Sequence, residues 1–328
     1  MTALPDAALG RLARALRAPD LSGTRYLLGR EVGRGGMGSV WETDDPELGR
    51  VVAVKVLDLP DEAGDLAARL RREARVLARL EHPGVVPVHD VGTLPDGRPW
   101  YAMKLVRGER LDEAAARLPT LPERLRLFLR VCEPVAFAHA RGVVHRDLKP
   151  SNVMVGPFGE VLVLDWGIAR LLEEEVSGRS PGPPAALPGA PRESRDALAP
   201  GTAAGTVLGT PGYMAPEQAR GDGAVDGRAD VYALGVLLRG LSGPEGLRAR
   251  RLAAIVARAT AESPAERYDG VPALAADVAR YLDGEPVAAY RERPWERAAR
   301  FAVRHRVALL LLLAYLAARA AVLLVYGR

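Results

Sequence analysis

The sequence predicts an α+β chain that closes on a long apolar helix, and three observations carry that expectation. Strand-like segments crowd the first hundred residues, at Leu27–Val32, Val40–Glu42, Val51–Leu57, Val85–Gly92 and Trp100–Val106. From Leu121 onward, apolar residues recur every three and four positions, the period of a helix face. Strands first and helices afterwards is the pattern of an α+β architecture rather than of alternating βαβ units. The run 307–326 is apolar or aromatic apart from Arg319, and twenty helical residues span about 30 Å, a bilayer's hydrocarbon thickness.

The 328 residues, 48% of them apolar, are long for one compact domain and sufficient for two lobes. The single cysteine, Cys132, excludes an internal disulfide and a zinc cluster, and the five histidines show no metal-ligand spacing. Cys132 lies in the apolar stretch Phe128–Ala138, which predicts a buried, inert thiol. The net charge of +4 is uneven. Residues 291–306 hold six arginines against two glutamates, Arg319 and Arg328 add two more charges, and residues 1–290 sum to −2. A near-neutral body gives no case for nucleic-acid binding.

Residues 1–23 read as an amino-terminal extension. Leu9, Leu12 and Leu16 predict a short amphipathic helix, and arginines interrupt the apolar runs, so no secretory signal is expected. Gly33-Arg34-Gly35-Gly36-Met37-Gly38-Ser39-Val40 follows one strand and precedes another. Its glycines let backbone amides approach a phosphate with no Cβ in the way. A G-x-G-x-x-G also opens dinucleotide-binding folds, but there a helix should follow; Val40-Trp41-Glu42 reads as strand and favours a hairpin. Lys55 interrupts the apolar run Val51–Leu57, and a buried ammonium needs an anionic partner. Leu66, Leu70, Glu73, Leu77 and Leu80 share one helical face, which makes Glu73 the carboxylate expected to meet Lys55. The alternative is that Glu73 pairs with Arg69 or Arg72 at the surface.

A helix is expected over Leu121–Arg141, with Leu125, Phe128, Leu129, Cys132, Val135, Ala136 and His139 along its apolar side. It delivers the chain to His145-Arg146-Asp147-Leu148-Lys149-Pro150-Ser151-Asn152. Asp147 and Asn152 stand too far apart for one helical turn and are too polar for a core strand, so a rigid loop aiming both at one point is the reading. Lys149 adds a positive charge beside the carboxylate. Phosphoryl transfer needs such a set: a group to orient a hydroxyl, a cation on the moving phosphoryl and a metal ligand. Asp165-Trp166-Gly167 follows the strand-like Leu162–Leu164, and an acidic residue before a glycine there suits a metal ligand on a turn. Residues 172–208, rich in Pro, Ala and Gly, cannot bury a core and are expected to be mobile. Helices over Asp230–Gly235, Leu252–Thr260 and Leu274–Leu282 follow, with only Gly240–Arg250 between the first two.

The octet at 145–152 resembles the catalytic loop of the eukaryotic-type (Hanks-type) protein kinases, as found in bacterial serine/threonine kinases. Around it the glycine segment, Lys55, Glu73, Asp165, Ala215-Pro216-Glu217, Asp230 and Arg267 keep that family's order over roughly residues 25–285. The resemblance implies a two-lobed protein kinase fold: a small β-rich N-lobe at 24–106 and a larger helical C-lobe at 107–290, with a long activation segment at 170–210. It implies ATP, Mg²⁺ and protein substrates bearing Ser or Thr, the choice over Tyr resting on Lys149. By the same resemblance Asp147 orients the hydroxyl, Lys149 stabilises the γ-phosphoryl, Asn152 and Asp165 hold Mg²⁺, and Lys55 with Glu73 steadies the phosphates. The expected ATP contacts come from Gly33, Arg34, Gly35, Gly36, Met37, Gly38, Val40, Ala53 and Met154, with Met103 as gatekeeper and Lys104-Leu105-Val106 as hinge. Arg146 is expected to dock a phosphorylated Thr202 or Thr206, Thr210 to bond Asp147 and Lys149, Glu217 to pair with Arg267, and Asp230 to brace the catalytic loop. The chain departs from the family at Lys104, often Glu; at Trp166, usually Phe; and at 240–250, where another helix is usual. That last departure leaves a rival reading, a catalytically weak or inactive nucleotide-binding scaffold. A small-molecule phosphotransferase should lack Ala215-Pro216-Glu217.

Residues 291–306 are then a basic juxtamembrane segment and 307–326 a transmembrane helix. Arg319 opposes insertion by roughly 2.5–3.5 kcal/mol, while eight leucines and three valines favour it by about 3–7 kcal/mol. The arginine cluster marks the cytoplasmic side, so the expectation is a single-pass protein with its kinase domain cytoplasmic and its C-terminus outside. The alternative is a soluble helix buried in a partner or lying at the interface. A homodimer for trans-autophosphorylation completes the expectations.

Overall fold

The computed structural model describes residues 18–35, 38–57, 74, 77–78, 80–166, 212–220 and 225–326, with backbone alone at 299–301, 303–304, 306 and 320–326. The expected amphipathic helix at Leu9–Leu16, Gly36, Met37, Glu73, Thr202, Thr206, Thr210 and the activation segment at 170–210 lie outside the described residues.

Five antiparallel strands, β1 (Leu27–Gly35), β2 (Gly38–Asp45), β3 (Arg50–Leu57), β4 (Val88–Thr93) and β5 (Pro99–Lys104), form one sheet in the order β1-β2-β3-β5-β4. β3 is apolar on both faces because both are covered. Val52, Val54 and Val56 join Trp41, Trp100 and Ala102 in a small outer core, while Ala53 and Leu57 face the main core with Tyr101 and Met103. The register sets Ala53 opposite Met103 and Lys55 opposite Tyr101, so these four side chains share one face. Gly38 opens β2 at φ 143°, and a Cβ there would run into the Val56 carbonyl.

The helical part comprises α1 (Leu111–Ala116), α2 (Leu121–His139), α3 (Pro216–Arg220), α4 (Arg228–Gly246), α5 (Arg250–Ala259) and α6 (Val271–Leu282), with a small sheet of β6 (Glu109–Arg110), β7 (Val153–Val155) and β8 (Val161–Val163) in the order β6-β7-β8. α2 starts on a capping box: Glu123 N donates to Thr120 Oγ1, and Thr120 N donates to Glu123 Oε2. Its Leu125, Phe128, Val131, Cys132, Val135 and Ala138 are buried at the centre of the main core.

The Asp230 helix passes Gly240 by two residues: α4, with bounds Arg228–Gly246, is interrupted at Gly243, which takes φ 62° ahead of Pro244. Gly243 is non-helical, a positive φ that glycine accepts, so the regular helix ends at Ser242 and a short turn, Pro244–Gly246, follows the break; Arg124 Nε caps the Leu241 carbonyl at 2.8 Å. The basic segment is helical too: α7 (Pro294–Arg304) begins with proline in its first turn, and Glu296 accepts from Arg293 N at 2.8 Å. α8 (Arg306–Tyr326) follows directly. Among the described residues no helix is long and apolar enough to cross a membrane, so the spanning helix expected over 307–326 is not found there.

Candidate active site

The catalytic-loop segment is held from below by one buried carboxylate. Asp230, in the first turn of α4, accepts from His145 N at 2.7 Å and from Arg146 N at 2.8 Å, and contacts His139 Nε2 at 2.7 Å. Burial pushes its pKa up, but His139, His145 and the backbone amide outweigh burial and hold the carboxyl below the usual range. Arg146 takes φ 67°, which a non-glycine residue keeps only when its surroundings impose it. The Asp230 bond to its amide and the Gln218 Nε2 bond to its carbonyl, 3.0 Å, supply that constraint. His145 is fully buried, its Nε2 2.8 Å from the Leu164 carbonyl while Asp147 N donates to its Nδ1 at 3.3 Å. Only the neutral tautomer protonated on Nε2 satisfies both, and burial lowers the His145 pKa accordingly.

Above this base the reactive groups are chained together. Asp147 Oδ2 lies 2.8 Å from Lys149 Nζ, and Asn152 Nδ2 donates to the Asp147 carbonyl at 2.8 Å and to Oδ2 at 3.1 Å. Asn152 ends a 3-10 turn, Pro150–Asn152, which turns its amide back on the aspartate. Leu164 N donates to the Asn152 carbonyl at 2.8 Å, which brings Asp165 beside the loop. Asp165, at φ 53°, receives Lys55 Nζ at 2.7 Å and the Tyr101 hydroxyl at 3.2 Å, both on Oδ1. Burial raises its pKa, but the Lys55 ammonium and the two hydrogen bonds prevail and hold it below the ordinary value.

A cleft of about 810 Å³ lies between the sheet and this loop. Gly33, Val40, Ala53, Met103, Met154 and Asp165 line it, as do the hinge residues Lys104, Leu105 and Val106. Its apolar walls suit a flat aromatic base, and Asp165 stands where phosphates would lie. Arg34, expected among the ATP contacts, instead pairs with Glu31 at 2.7 Å and lines a separate groove on the outside of β1. Gly35 and Gly38 sit at the β1–β2 turn rather than in the cleft wall. Sequence reasoning missed Val32, Leu164 and Ser151 in the lining, and Tyr101 against Asp165. The signal for Tyr101 was its place opposite Lys55, legible only once β3 and β5 are paired. The described partner of Lys55 is Asp165, and its pairing with Glu73 lies outside the described residues.

The Asp165 carboxylate and the Asn152 amide oxygen are hard donors of the kind Mg²⁺ takes. Mg²⁺ uses one or two carboxylates and completes its shell with water and phosphate oxygens, so these residues fit it. Below the cleft, Arg267 forks onto Glu217 at 2.7 Å on each oxygen and donates to the carbonyls of Arg228, Ala261 and Glu262. Burial raises the Glu217 pKa, but the hydrogen bonds from Arg267 pull it below the usual range.

Residues 26–247 match the family described as "Protein kinase domain". The chain is 36% identical over 304 residues to the serine/threonine-protein kinase PknD of Chlamydia caviae, covering 80% of this chain and 32% of that protein. It is 36% identical over 310 residues to PknB of Mycobacterium tuberculosis, covering 83% of this chain and 45% of that protein. The chain thus spans between about a third and under a half of the length of these relatives. The crystal structure of the Mycobacterium tuberculosis PknI kinase domain superposes with a TM-score of 0.56 at 28% identity, over 78% of this chain and 95% of that one. Sheet, helical lobe, cleft and the ordered motifs around it all agree with that match, and the chain belongs to the protein kinase family.

Proposed function

We propose that this chain is a serine/threonine protein kinase, transferring the γ-phosphoryl of Mg-ATP to Ser or Thr hydroxyls of proteins. The observation that carries the reading is the continuous chain of contacts Lys55–Asp165, Leu164–Asn152, Asn152–Asp147 and Asp147–Lys149 beside one cleft. Asp147, fixed by Asn152 and Lys149, accepts the hydrogen bond of the substrate hydroxyl and aims its oxygen at the phosphorus. Lys149 is close enough to follow the charge that develops on the transferring group, and Lys55 holds the neighbouring phosphates. Mg²⁺, held by Asp165 and Asn152, neutralises phosphate charge when bound. Purified protein, Mg²⁺, γ-labelled ATP and a generic protein substrate test this reading. The wild type should label Ser or Thr, and Asp147→Asn should cut the rate roughly 10²–10⁴-fold. Wild-type labelling no greater than that of Asp147→Asn would return the chain to the nucleotide-binding scaffold reading.

Membrane attachment through α8, single-pass, with the kinase domain cytoplasmic and the C-terminus outside, belongs to the same proposal. Its supports are the length of α8 and the exposure of Leu310, Leu311, Leu312, Leu313 and Leu316, which leaves these apolar side chains without cover among the described residues. A carbonate wash of membranes should leave the intact chain in the pellet; release into the supernatant would refute attachment by spanning. Autophosphorylation on Thr202 or Thr206, within a homodimer, is likewise proposed. Mass spectrometry after incubation with Mg-ATP should find phosphate between residues 170 and 210, and its absence would remove the idea.

A further inference from the structure

Side chains of β5 alternate across the sheet: Trp100 and Ala102 enter the small outer core, while Tyr101 and Met103 face the main core and the cleft. Tyr101 is 3% exposed and stands directly opposite Lys55. Its ring centroid lies 6.0 Å from Lys55 Nζ, and its hydroxyl donates to Asp165 Oδ1 at 3.2 Å. A buried phenol needs a polar partner, and here the partner is the carboxylate expected to hold metal. Lys55 Nζ binds that same oxygen at 2.7 Å. Among the described residues both contacts fall on Oδ1 and none on Oδ2. The Asp165 backbone, at φ 53°, has no intrinsic preference for its position and depends on its surroundings. A carboxylate tied back through one oxygen presents the other in a fixed direction, which is how outer partners tune a metal ligand.

We propose that Tyr101 is a positioning residue of this site: its hydroxyl, together with Lys55, ties back Oδ1 of Asp165 so that Oδ2 is presented to the magnesium ion of a bound Mg-nucleotide. The inference rests on the reading of the cleft as a nucleotide site and deepens it. Tyr101 belongs to none of the motifs that carry the family resemblance. Tyr101→Phe keeps the ring packed against Lys55 and removes the hydroxyl alone.

The test is binding rather than turnover. A fluorescent N-methylanthraniloyl-ADP is titrated into the full chain, first in EDTA and then at rising Mg²⁺, with thermal melting as the check on folding. Tyr101→Phe should keep the metal-free affinity within about twofold of wild type while raising the Mg²⁺ midpoint roughly tenfold, the lower end of the range for lost outer partners of a metal ligand. Tyr101→Met, which loses ring and hydroxyl together, should raise the midpoint at least as far. A Tyr101→Phe midpoint equal to or below that of wild type overturns the proposal, and so does a rise confined to Tyr101→Met, which would assign the position to packing. Wild-type protein that binds the analogue no better in Mg²⁺ than in EDTA defeats the nucleotide-site reading itself, a distinct failure.

Discussion

His145 keeps both of its ring hydrogen bonds only while neutral. Protonated, its Nδ1 would carry a hydrogen facing the Asp147 amide that now donates to it. Its folded pKa lies below the unfolded value of about 6.5. The native state therefore binds fewer protons than the unfolded chain between those two values, and the stability involved is complete above pH about 6.5 and lost as pH falls through the folded pKa. His89, lowered by burial and by Arg50, acts in the same direction. The melting temperature should fall on acidification from pH 7 to 5, and His145→Asn should flatten that slope; an unchanged slope would contradict the neutral assignment. The depressed carboxyls of Asp165, Asp230 and Glu217 add a second loss nearer pH 4 and below, since their contribution is present above the unfolded carboxylate pKa and disappears as they protonate. Arg267→Ala would strand a largely buried Glu217 and orphan three carbonyls, so denaturant unfolding should show a loss of about 3–5 kcal/mol.

α4 offers paired substitutions of opposite sign. Gly240 is helical, and a Cβ added there meets nothing within 4 Å, whereas Gly243 has the same open space but φ 62°. Gly240→Ala should therefore stabilise by about 0.5–1 kcal/mol, and Gly243→Ala should destabilise by about 1 kcal/mol, both read from urea midpoints. If the two shifted in the same direction, the kink at Gly243 would not be real. Sequence reasoning read Gly240, Gly243 and Pro244 alike as breakers; Gly243 does break the helix, but Gly240 does not, because Leu241 and Ser242 are buried against the lobe and hold the turn that contains it. It missed α7 for a related reason. Arg293, Arg297, Arg300 and Arg304 read as a charge run, although their spacing of four, three and four is that of a helix face.

Across the whole molecule, legibility divides along sequence distance. The catalytic-loop octet is local: residue types and spacing pointed to a loop aiming Asp147 and Asn152 at one point, the family resemblance supplied their roles, and the bonds among Asp147, Lys149 and Asn152 close within the octet. The strands were legible from β-branched runs, but their pairing was not, and with it went the meeting of Tyr101, Lys55 and Asp165, side chains drawn from β3, β5 and the end of β8. Periodicity could rank Glu73 as an inward carboxylate on its own helix, yet it says nothing about a carboxylate that arrives a hundred residues later. The Asp230 brace and the Glu217–Arg267 pair are long-range too, and both were expected only through the family resemblance, since nothing in spacing alone tells that a buried carboxylate of α4 bonds two successive amides of the loop.

For the chain to act as a kinase, the cleft between the sheet and the catalytic loop must receive a metal-bound triphosphate. The most direct measurement is the structure of the chain with Mg²⁺ and a non-hydrolysable ATP analogue. The base should lie between Ala53 and Met154 against Met103, with a phosphate oxygen within hydrogen-bond reach of Lys55 Nζ and Mg²⁺ about 2.0–2.1 Å from an Asp165 oxygen. An analogue bound elsewhere, or one seated in the cleft with neither Lys55 nor Asp165 touching its phosphates or metal, would contradict it.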